Sequence, residues 1–134
     1  MDIRKVTPRT PSELTEKAIE KLILQYLSIK GIYALKLNTV GVFDQEKGKY
    51  RLPRSPFIKK GVSDIIAILK PHGQIIAIEV KTPKRKNNLS IHQKIFMDEV
   101  QKNGGISLVA TSVVDVIKRL EELEDNHKIL PENK

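Results

Sequence analysis

The stretch GVSDIIAILKPHGQIIAIEVKTP, residues 61–83, contains two apolar runs separated by a short turn-like segment. The runs Asp64–Lys70 and Ile75–Lys81 have the length of strands, and the proline, histidine and glycine between them are typical of a hairpin turn. Both faces of the first run are apolar, which predicts strands in the centre of a sheet, covered by helices on both sides. The second run nevertheless ends in Glu79-Val80-Lys81, so charged groups enter a region that should be buried.

The faces of the hairpin follow from its register. In the simplest register Pro71 lies opposite Gln74, which sets Asp64 opposite Lys81. Opposite residues point to the same face of a sheet, as do residues two apart on one strand. Asp64, Glu79 and Lys81 are therefore expected on one face.

Charged side chains in this arrangement have two interpretations. The carboxylates of Asp64 and Glu79, with the carbonyl of Val80, could hold a divalent cation that activates water, while Lys81 neutralises charge on a phosphate. Alternatively, Asp64 and Lys81 form an ion pair at the sheet's edge and Glu79 is solvated. From spacing alone both interpretations stay open.

The composition limits the kinds of site and partner. The chain has 134 residues, a net charge of +8, no cysteine and three histidines, which disfavours disulfides and zinc sites and favours a hard cation such as Mg²⁺. The positive charge suits nucleic acid or an anionic membrane surface. No apolar run reaches the length of a membrane helix and no signal-peptide core is visible, so a cytoplasmic protein without a membrane-spanning segment is expected.

The surrounding pattern predicts one domain, residues 1–124, and a flexible C-terminal tail, residues 125–134. The element order is α-β-β-β-α-β-α, and a helical crossover to a parallel fourth strand makes a mixed sheet flanked by helices. The predicted flanking elements are a helix Pro11–Lys30 with a capping box at Thr10–Glu13, a strand Ile32–Thr39, a helix from Ser90 to the glycines 104 and 105, a strand Ile106–Thr111 and a helix capped by Ser112.

Two basic segments lie on either side of the hairpin. The segment 40–61 has six basic side chains against two acidic ones and is predicted as a long exposed loop or a loose hairpin. Together with the segment after Lys81 it predicts phosphate contacts near the proposed metal. The candidate DNA-binding residues are Lys47, Lys49, Arg51, Arg54, Lys59, Lys60, Lys84, Arg85 and Lys86.

An aspartate followed by Glu-x-Lys on a hairpin, with a helix before and after, resembles the PD-(D/E)XK nuclease pattern. The segments KKGVSDIIAI, GQIIAIEVKTP, LSIHQKIFMDEV and NGGISLVAT resemble more narrowly the virus-type replication-repair nuclease (VRR-NUC) domain, a phage, bacterial and eukaryotic DNA-repair module. The resemblance covers roughly Glu13 to Leu120 and implies a restriction-endonuclease-like α-β-β-β-α-β core. One departure is Ser63, where the family often has proline.

The resemblance also implies a function and site residues. It implies a Mg²⁺-dependent endonuclease, with Mn²⁺ able to substitute, that acts as a homodimer in DNA repair or recombination on duplex or branched DNA such as Holliday junctions. The residue roles that it implies are Asp64 and Glu79 as metal ligands, Val80 as a carbonyl ligand, Lys81 as a catalytic residue, Gln93 as a residue that supports the site, and a glutamate of the first helix, for which Glu16 fits better than Glu13 or Glu20.

Purely structural explanations compete with two of these roles. Gln93 closes an S-x-x-Q capping box with Ser90, and Glu16 could belong to the solvated face of an amphipathic helix. Two other functions compete with the nuclease. The first is a non-catalytic DNA-binding module on the same fold, and the second, an RNA-binding basic protein, is disfavoured by the paired acids in the central strands.

Overall fold

The computed structural model describes residues 14–37, 42–51 and 55–129. A short 3-10 turn spans Pro83–Arg85. Among the described residues, none of the helices has the length and apolarity of a membrane span. The helices and strands, in chain order, are α1 (Glu16–Ile29), β1 (Tyr33–Lys36), β2 (Val42–Asp44), β3 (Lys49–Arg51), β4 (Ile65–Leu69), β5 (Gln74–Val80), α2 (Ile91–Lys102), β6 (Ile106–Ala110) and α3 (Val113–Ile129).

Four of the strands form a mixed sheet with the order β1-β4-β5-β6. β4 is antiparallel to both β1 and β5, and β6 is parallel to β5 because the chain crosses over through α2 between them. The apolar runs quoted above are the two central strands. This architecture confirms the predicted fold class, a mixed α/β sheet flanked by helices that is consistent with a restriction-endonuclease-like core.

The register of the β4–β5 hairpin differs from the predicted one by two residues. Leu69 pairs with Gln74, so four residues form the connection instead of two. Gly73 has a φ of 73°, which a residue with a Cβ rarely adopts, and its N–H donates to the carbonyl of Leu69. The shift brings Asp64, just before β4, level with Glu79 rather than Lys81. Because a shift of two residues preserves the faces, the prediction of a shared face is unaffected.

α1 begins later than predicted. Leu14 and Thr15 are not helical, and the Thr15 hydroxyl accepts a hydrogen bond from the N–H of Ala18 at 3.1 Å, which caps the helix at Glu16. The predicted start at Pro11 is therefore wrong, and the predicted capping box at Thr10–Glu13 lies outside the described residues. The predicted end is confirmed, since Gly31 follows the helix with a φ of 72°.

The hydrophobic core lies between the sheet and the helices α1 and α3. Apolar side chains from one face of β4, β5 and β6 meet those of the two helices there. The fully buried members with the largest side chains are Ile19, Ile23, Leu27, Ile65, Ile76, Ile78, Val80 and Val116. α1 is thereby fixed against the central strands, which brings its first turn toward the start of β4.

The opposite face of the sheet is only partly covered. α2 packs chiefly on β5 and β6, where the Ser107 hydroxyl donates to the carbonyl of Met97 at 2.8 Å. Near the turn of the hairpin the cover is thinner, and the paired residues Ile68 on β4 and Ile75 on β5 are 38% and 42% exposed. The prediction that both faces of β4 are covered is therefore wrong for this face.

The basic segment 40–61 contains a hairpin, one of the two predicted alternatives. β2 and β3 pair antiparallel in a two-stranded sheet of their own, with Asp44 opposite Lys49. Arg54 and the end of the predicted first strand, Asn38 and Thr39, lie outside the described residues.

α3 begins directly after Ser112, as predicted, and Asp115 Oδ2 accepts hydrogen bonds from the N–H and the hydroxyl of Thr111 at its start. The helical backbone continues through Ile129, into the segment assigned to a tail. Residues 130–134 lie outside the described residues, and the division into a domain and a flexible tail stays a prediction.

Candidate active site

Asp64 and Glu79 lie side by side at one end of the two central strands. Asp64 Oδ2 accepts a hydrogen bond of 2.7 Å from the N–H of Val80, which joins the start of β4 to the end of β5. This contact holds the Asp64 carboxyl group beside the backbone of the Glu79-Val80 step. The structure thus brings together the two carboxyl groups that the sequence analysis proposed as metal ligands.

Glu79 is a buried carboxyl group, only 3% exposed. Burial and, second, the neighbouring negative charge of Asp64 raise its pKa from 4.5 to about 7, while Lys81 opposes the shift. Among the described residues, no donor reaches Glu79 Oε2. A hydrogen bond between the carboxyl groups of Asp64 and Glu79 makes a smaller contribution to the raised pKa.

The carboxyl group of Asp64 is also perturbed. Burial raises its pKa above the ordinary value, the hydrogen bond from Val80 lowers it, and the negative charges of Glu20 and Glu16 raise it. The influence of these two glutamates shows that the first turns of α1 approach the carboxyl pair. The site therefore combines acids from the central hairpin and from α1.

Glu16 and Glu20 have different partners. Glu20 Oε1 forms an ion pair of 3.0 Å with Lys36 Nζ on β1. Glu16 Oε1 is buried, has no hydrogen-bond partner among the described residues, and lies 3.9 Å from Arg85 Nη1. Glu16 is thus the α1 acid with free coordinating capacity toward the site. Glu13 lies outside the described residues.

Gln93 joins two structural tasks in one side chain. Its Oε1 accepts a hydrogen bond of 2.9 Å from the N–H of Ser90, and the Ser90 hydroxyl accepts one from the N–H of Gln93, which completes the capping box. Its Nε2 donates to Glu79 Oε1 at 2.7 Å. The capping role and the contact with the site are therefore compatible, because each uses a different atom of the amide.

Lys81 is buried beside the carboxyl groups, with 7% of its surface exposed. Its Nζ lies 4.0 Å from Glu79 Oε1, and its backbone N–H donates to the carbonyl of Ala110 on β6 at 3.0 Å. A buried ammonium group beside two carboxyl groups partly compensates their charge. The ion pair predicted by the structural alternative, Asp64 with Lys81, is replaced by one with Glu79.

The carboxyl groups of the site supply only part of the oxygen ligands that a hard divalent cation needs. Within residues 14–37, 42–51 and 55–129, no three histidine, cysteine, aspartate or glutamate side chains are arranged to hold a metal by themselves. The unpaired oxygens of Glu79 and Glu16, and the mutual repulsion of Asp64 and Glu79, are features that a cation would relieve. Such a cation would need further oxygens from the Val80 carbonyl, water or a phosphate.

Several of the predicted DNA-binding side chains are exposed close to this end of the sheet. Lys84, Arg85 and Lys86 follow β5 within a few residues, and Arg85 approaches Glu16. Lys59 and Lys60 precede β4. Lys47 and Lys49 are exposed on the β2–β3 hairpin, whereas the side chain of Arg51 and the whole of Arg54 are not described.

Two residues next to the site were not identified from the sequence. A Cβ on Gly61 would lie 2.3 Å from the carbonyl carbon of His92, so only glycine lets this loop press against the start of α2. Ser63 is fully buried, and its hydroxyl has no partner among the described residues. No local sequence signal predicts the approach of Gly61 to His92, because it depends on where α2 docks.

An apolar cavity of about 320 Å³ lies at the other end of β4 and β5, around Leu69, Pro71, Leu120 and Leu123. None of the carboxyl groups described above lines it. Its lining combines apolar side chains with Lys30, Lys70, His72 and Glu124. It lacks a pair of carboxyl groups, so the end of the sheet with Asp64 and Glu79 is the better candidate for the functional site.

Residues 55–114, which include β4, β5, α2 and β6, match the family model of the VRR-NUC domain. Residues 55–114 are similar to VRR-NUC domains. The match confirms the resemblance and spans Asp64, Glu79, Lys81 and Gln93, whereas α1 with Glu16 precedes it. A comparison with curated proteins gave no match. The VRR-NUC domain implies nuclease function and DNA binding; the roles of its individual residues stay predictions.

Proposed function

We propose that this VRR-NUC-like protein is a Mg²⁺-dependent deoxyribonuclease. It is an endonuclease that hydrolyses DNA phosphodiester bonds at the end of the central hairpin where Asp64 and Glu79 lie. The observation that carries this proposal is the pair of adjacent carboxyl groups of Asp64 and Glu79, of which the buried one has its pKa raised to about 7. Two adjacent carboxyl groups repel each other when both are ionised and no cation is bound. A metal bound by both of them, together with a phosphate, would compensate for this repulsion and for their burial.

Asp64, Glu79 and the Val80 carbonyl would hold the metal, and Glu16 would complete the ligand shell through water or directly. When bound, Mg²⁺, or Mn²⁺ in its place, supplies charge neutralisation at the phosphate and activation of the attacking water. Lys81 stabilises the charge that develops on the phosphate, since its ammonium is fixed beside Glu79. Gln93 orients Glu79, and the basic side chains around the site bind the flanking phosphates.

The preferred substrate that we propose is branched DNA such as a Holliday junction, and the enzyme would act as a homodimer in repair or recombination. A junction with twofold symmetry suits two copies of one active site. The exposed apolar side chains on β1 and β4, among them Tyr33 and Ile68, support a contact between copies. Light scattering on the purified protein measures the oligomeric state, and a monomer at all concentrations would contradict the dimer.

The second candidate function is a DNA-binding module that has lost cleavage. The specific observation in its favour is the lack of a three-acid metal cluster within the described residues. Against it stands Glu79, which is a costly residue to keep buried without a chemical role.

Cleavage of a labelled four-way junction in Mg²⁺ tests the proposal. We expect the wild type to cut, and Asp64→Asn and Glu79→Gln to lose at least about a thousandfold in rate, because each removes a charge that holds the cation. Both variants keep the size of the side chain, so a circular dichroism melt reports whether they fold.

Folded variants that bind but do not cut, beside an active wild type, support the nuclease. A wild type that binds junctions in Mg²⁺ and in Mn²⁺ without cutting them, linear duplex or single strands supports the binding module instead. Asp98→Asn, at an exposed acid on the far part of α2, is the matched control and is expected to cut like the wild type.

A further inference from the structure

Phe57 is the most exposed large hydrophobic side chain in the described part of the chain, at 89%. It is presented by a formed turn: the N–H of Phe57 donates to the Ser55 hydroxyl and the N–H of Ile58 donates to the Ser55 carbonyl, each at 3.2 Å. A hydrogen-bonded turn that directs a phenyl ring into solvent is unfavourable for the isolated protein. The ring is therefore available to a partner.

The turn is attached to the candidate active site. Gly61, with a φ of 79°, packs against the backbone of His92 and Gln93, and the Gln93 amide donates to Glu79. At about 3.5 Å per residue, the chain from Phe57 to Asp64 spans at most about 25 Å, which is less than one turn of duplex DNA, about 34 Å. Phe57 therefore lies within one duplex turn of the candidate active site.

The charges around the ring select the class of partner. Lys59 and Lys60 are exposed directly beyond the turn, and residues 55–62 contain no acidic side chain. Aromatic rings beside cationic groups bind nucleic acids by stacking on bases while the cations contact phosphates. A second copy of this chain, with its own net charge of +8, would bring like charges toward these lysines.

We propose that Phe57 stacks on an unpaired or unstacked base next to the phosphate at the active site, and so contributes selectivity for distorted or branched DNA. The inference rests on the proposed function and names a specificity residue of that site. Insertion of a side chain into continuous duplex requires unstacking of a base step, at a cost of a few kcal/mol. At a branch point, nick or flap this stacking is already weakened, so the ring favours those structures.

Binding without cleavage tests the proposal. The probe is a four-way junction with 2-aminopurine beside the branch point, measured in Ca²⁺, with a continuous duplex of equal length as the comparison. Loss of one stacked base corresponds to roughly a tenfold weakening. We therefore expect Phe57→Ala to bind the junction about tenfold more weakly and the duplex with unchanged affinity. We also expect this variant to lose the change in 2-aminopurine fluorescence that accompanies junction binding.

Phe57→Trp should restore both the affinity and the signal, since any large aromatic ring stacks on a base. Ile29→Ala removes another large exposed apolar side chain, 83% exposed at the end of α1, and should bind the junction like the wild type. Because the substituted side chains are exposed, the variants are expected to melt like the wild type.

The proposal is overturned if Phe57→Ala binds the junction like the wild type, weakens binding to both DNAs equally, or changes only the self-association seen by light scattering. The nuclease proposal is scored separately by cleavage in Mg²⁺. Cleavage that needs Asp64, with no effect of Phe57→Ala on binding, leaves the nuclease and rejects the stacking role. If Phe57→Ala weakens junction binding and the wild type does not cleave, the stacking role is kept and the nuclease is rejected.

Discussion

Glu79 predicts an unusual pH dependence of stability for the metal-free protein. Its pKa is raised from 4.5 to about 7, so between these values the folded state holds a proton that the unfolded state has lost. The free energy of unfolding should therefore fall as the pH rises from about 4.5 through about 7, by on the order of 3 kcal/mol. Urea unfolding in EDTA across this range measures it.

Glu79→Gln is the control for this pH dependence, because the amide has the same shape and does not titrate. We expect its stability to vary little between pH 4.5 and 7. The charge of Asp64 raises the pKa of Glu79, so the two groups titrate as a pair and the observed midpoint belongs to both. A wild type whose stability instead rises steadily over this range would contradict the buried, protonated carboxyl group.

Gln93 offers a test that separates capping from support of the site. Ser90→Ala and Gln93→Ala each break the capping box, so both should lose about 1 kcal/mol of stability in urea unfolding. Only Gln93→Ala removes the donor to Glu79, and it should weaken Mn²⁺ binding or cleavage by about 10- to 100-fold. Equal losses of activity in the two variants would assign Gln93 to the helix cap alone.

The same residue marks the limit of prediction from sequence at this scale. The S-x-x-Q spacing is local, so it predicts the cap at Ser90 correctly. The contact of Nε2 with Glu79 depends on where α2 docks against β5, which no local spacing encodes. The sequence therefore suggested a second role for Gln93 only through family resemblance.

Among the connections between elements, the loop at Gly61 makes the tightest approach. Gly61→Ala places a Cβ 2.3 Å from the carbonyl carbon of His92 and also forces a positive φ on alanine. Gly73→Ala, at a φ of 73° with open space around it, imposes only the backbone strain, about 1 kcal/mol. We expect Gly61→Ala to lose clearly more stability than Gly73→Ala in urea unfolding, and similar losses would mean that the loop moves away easily.

At the scale of elements, the sequence predicted types better than boundaries. The central hairpin was predicted from the length of its two apolar runs and from its turn residues. Its predicted register was two residues off because the turn is four residues long. Asp64 and Glu79 still share a face, since the side-chain period of a strand is two. The start of α1 was misplaced because the capping-box spacing at Thr10–Glu13 was assigned to its start, whereas Thr15 caps the helix.

For the whole molecule, the net charge of +8 predicts DNA binding that weakens with salt. If Lys84 and Lys86 each contact a phosphate, the double variant Lys84→Ala/Lys86→Ala should lower the slope of log affinity against log salt by about 1.8. Lys102→Ala is the control, because Lys102 lies in the last turn of α2 and its ammonium group pairs with Asp98. An equal change in both variants would reflect net charge rather than local contacts.

Lys81 reaches its position through the last strand of the sheet. Its N–H is held by the carbonyl of Ala110, so the residue beside Glu79 is fixed only after β6 has paired with β5. β6 begins 26 residues after the end of β5, on the far side of α2. A chain truncated before β6 would therefore keep both acids but lose the acceptor that holds the Lys81 backbone.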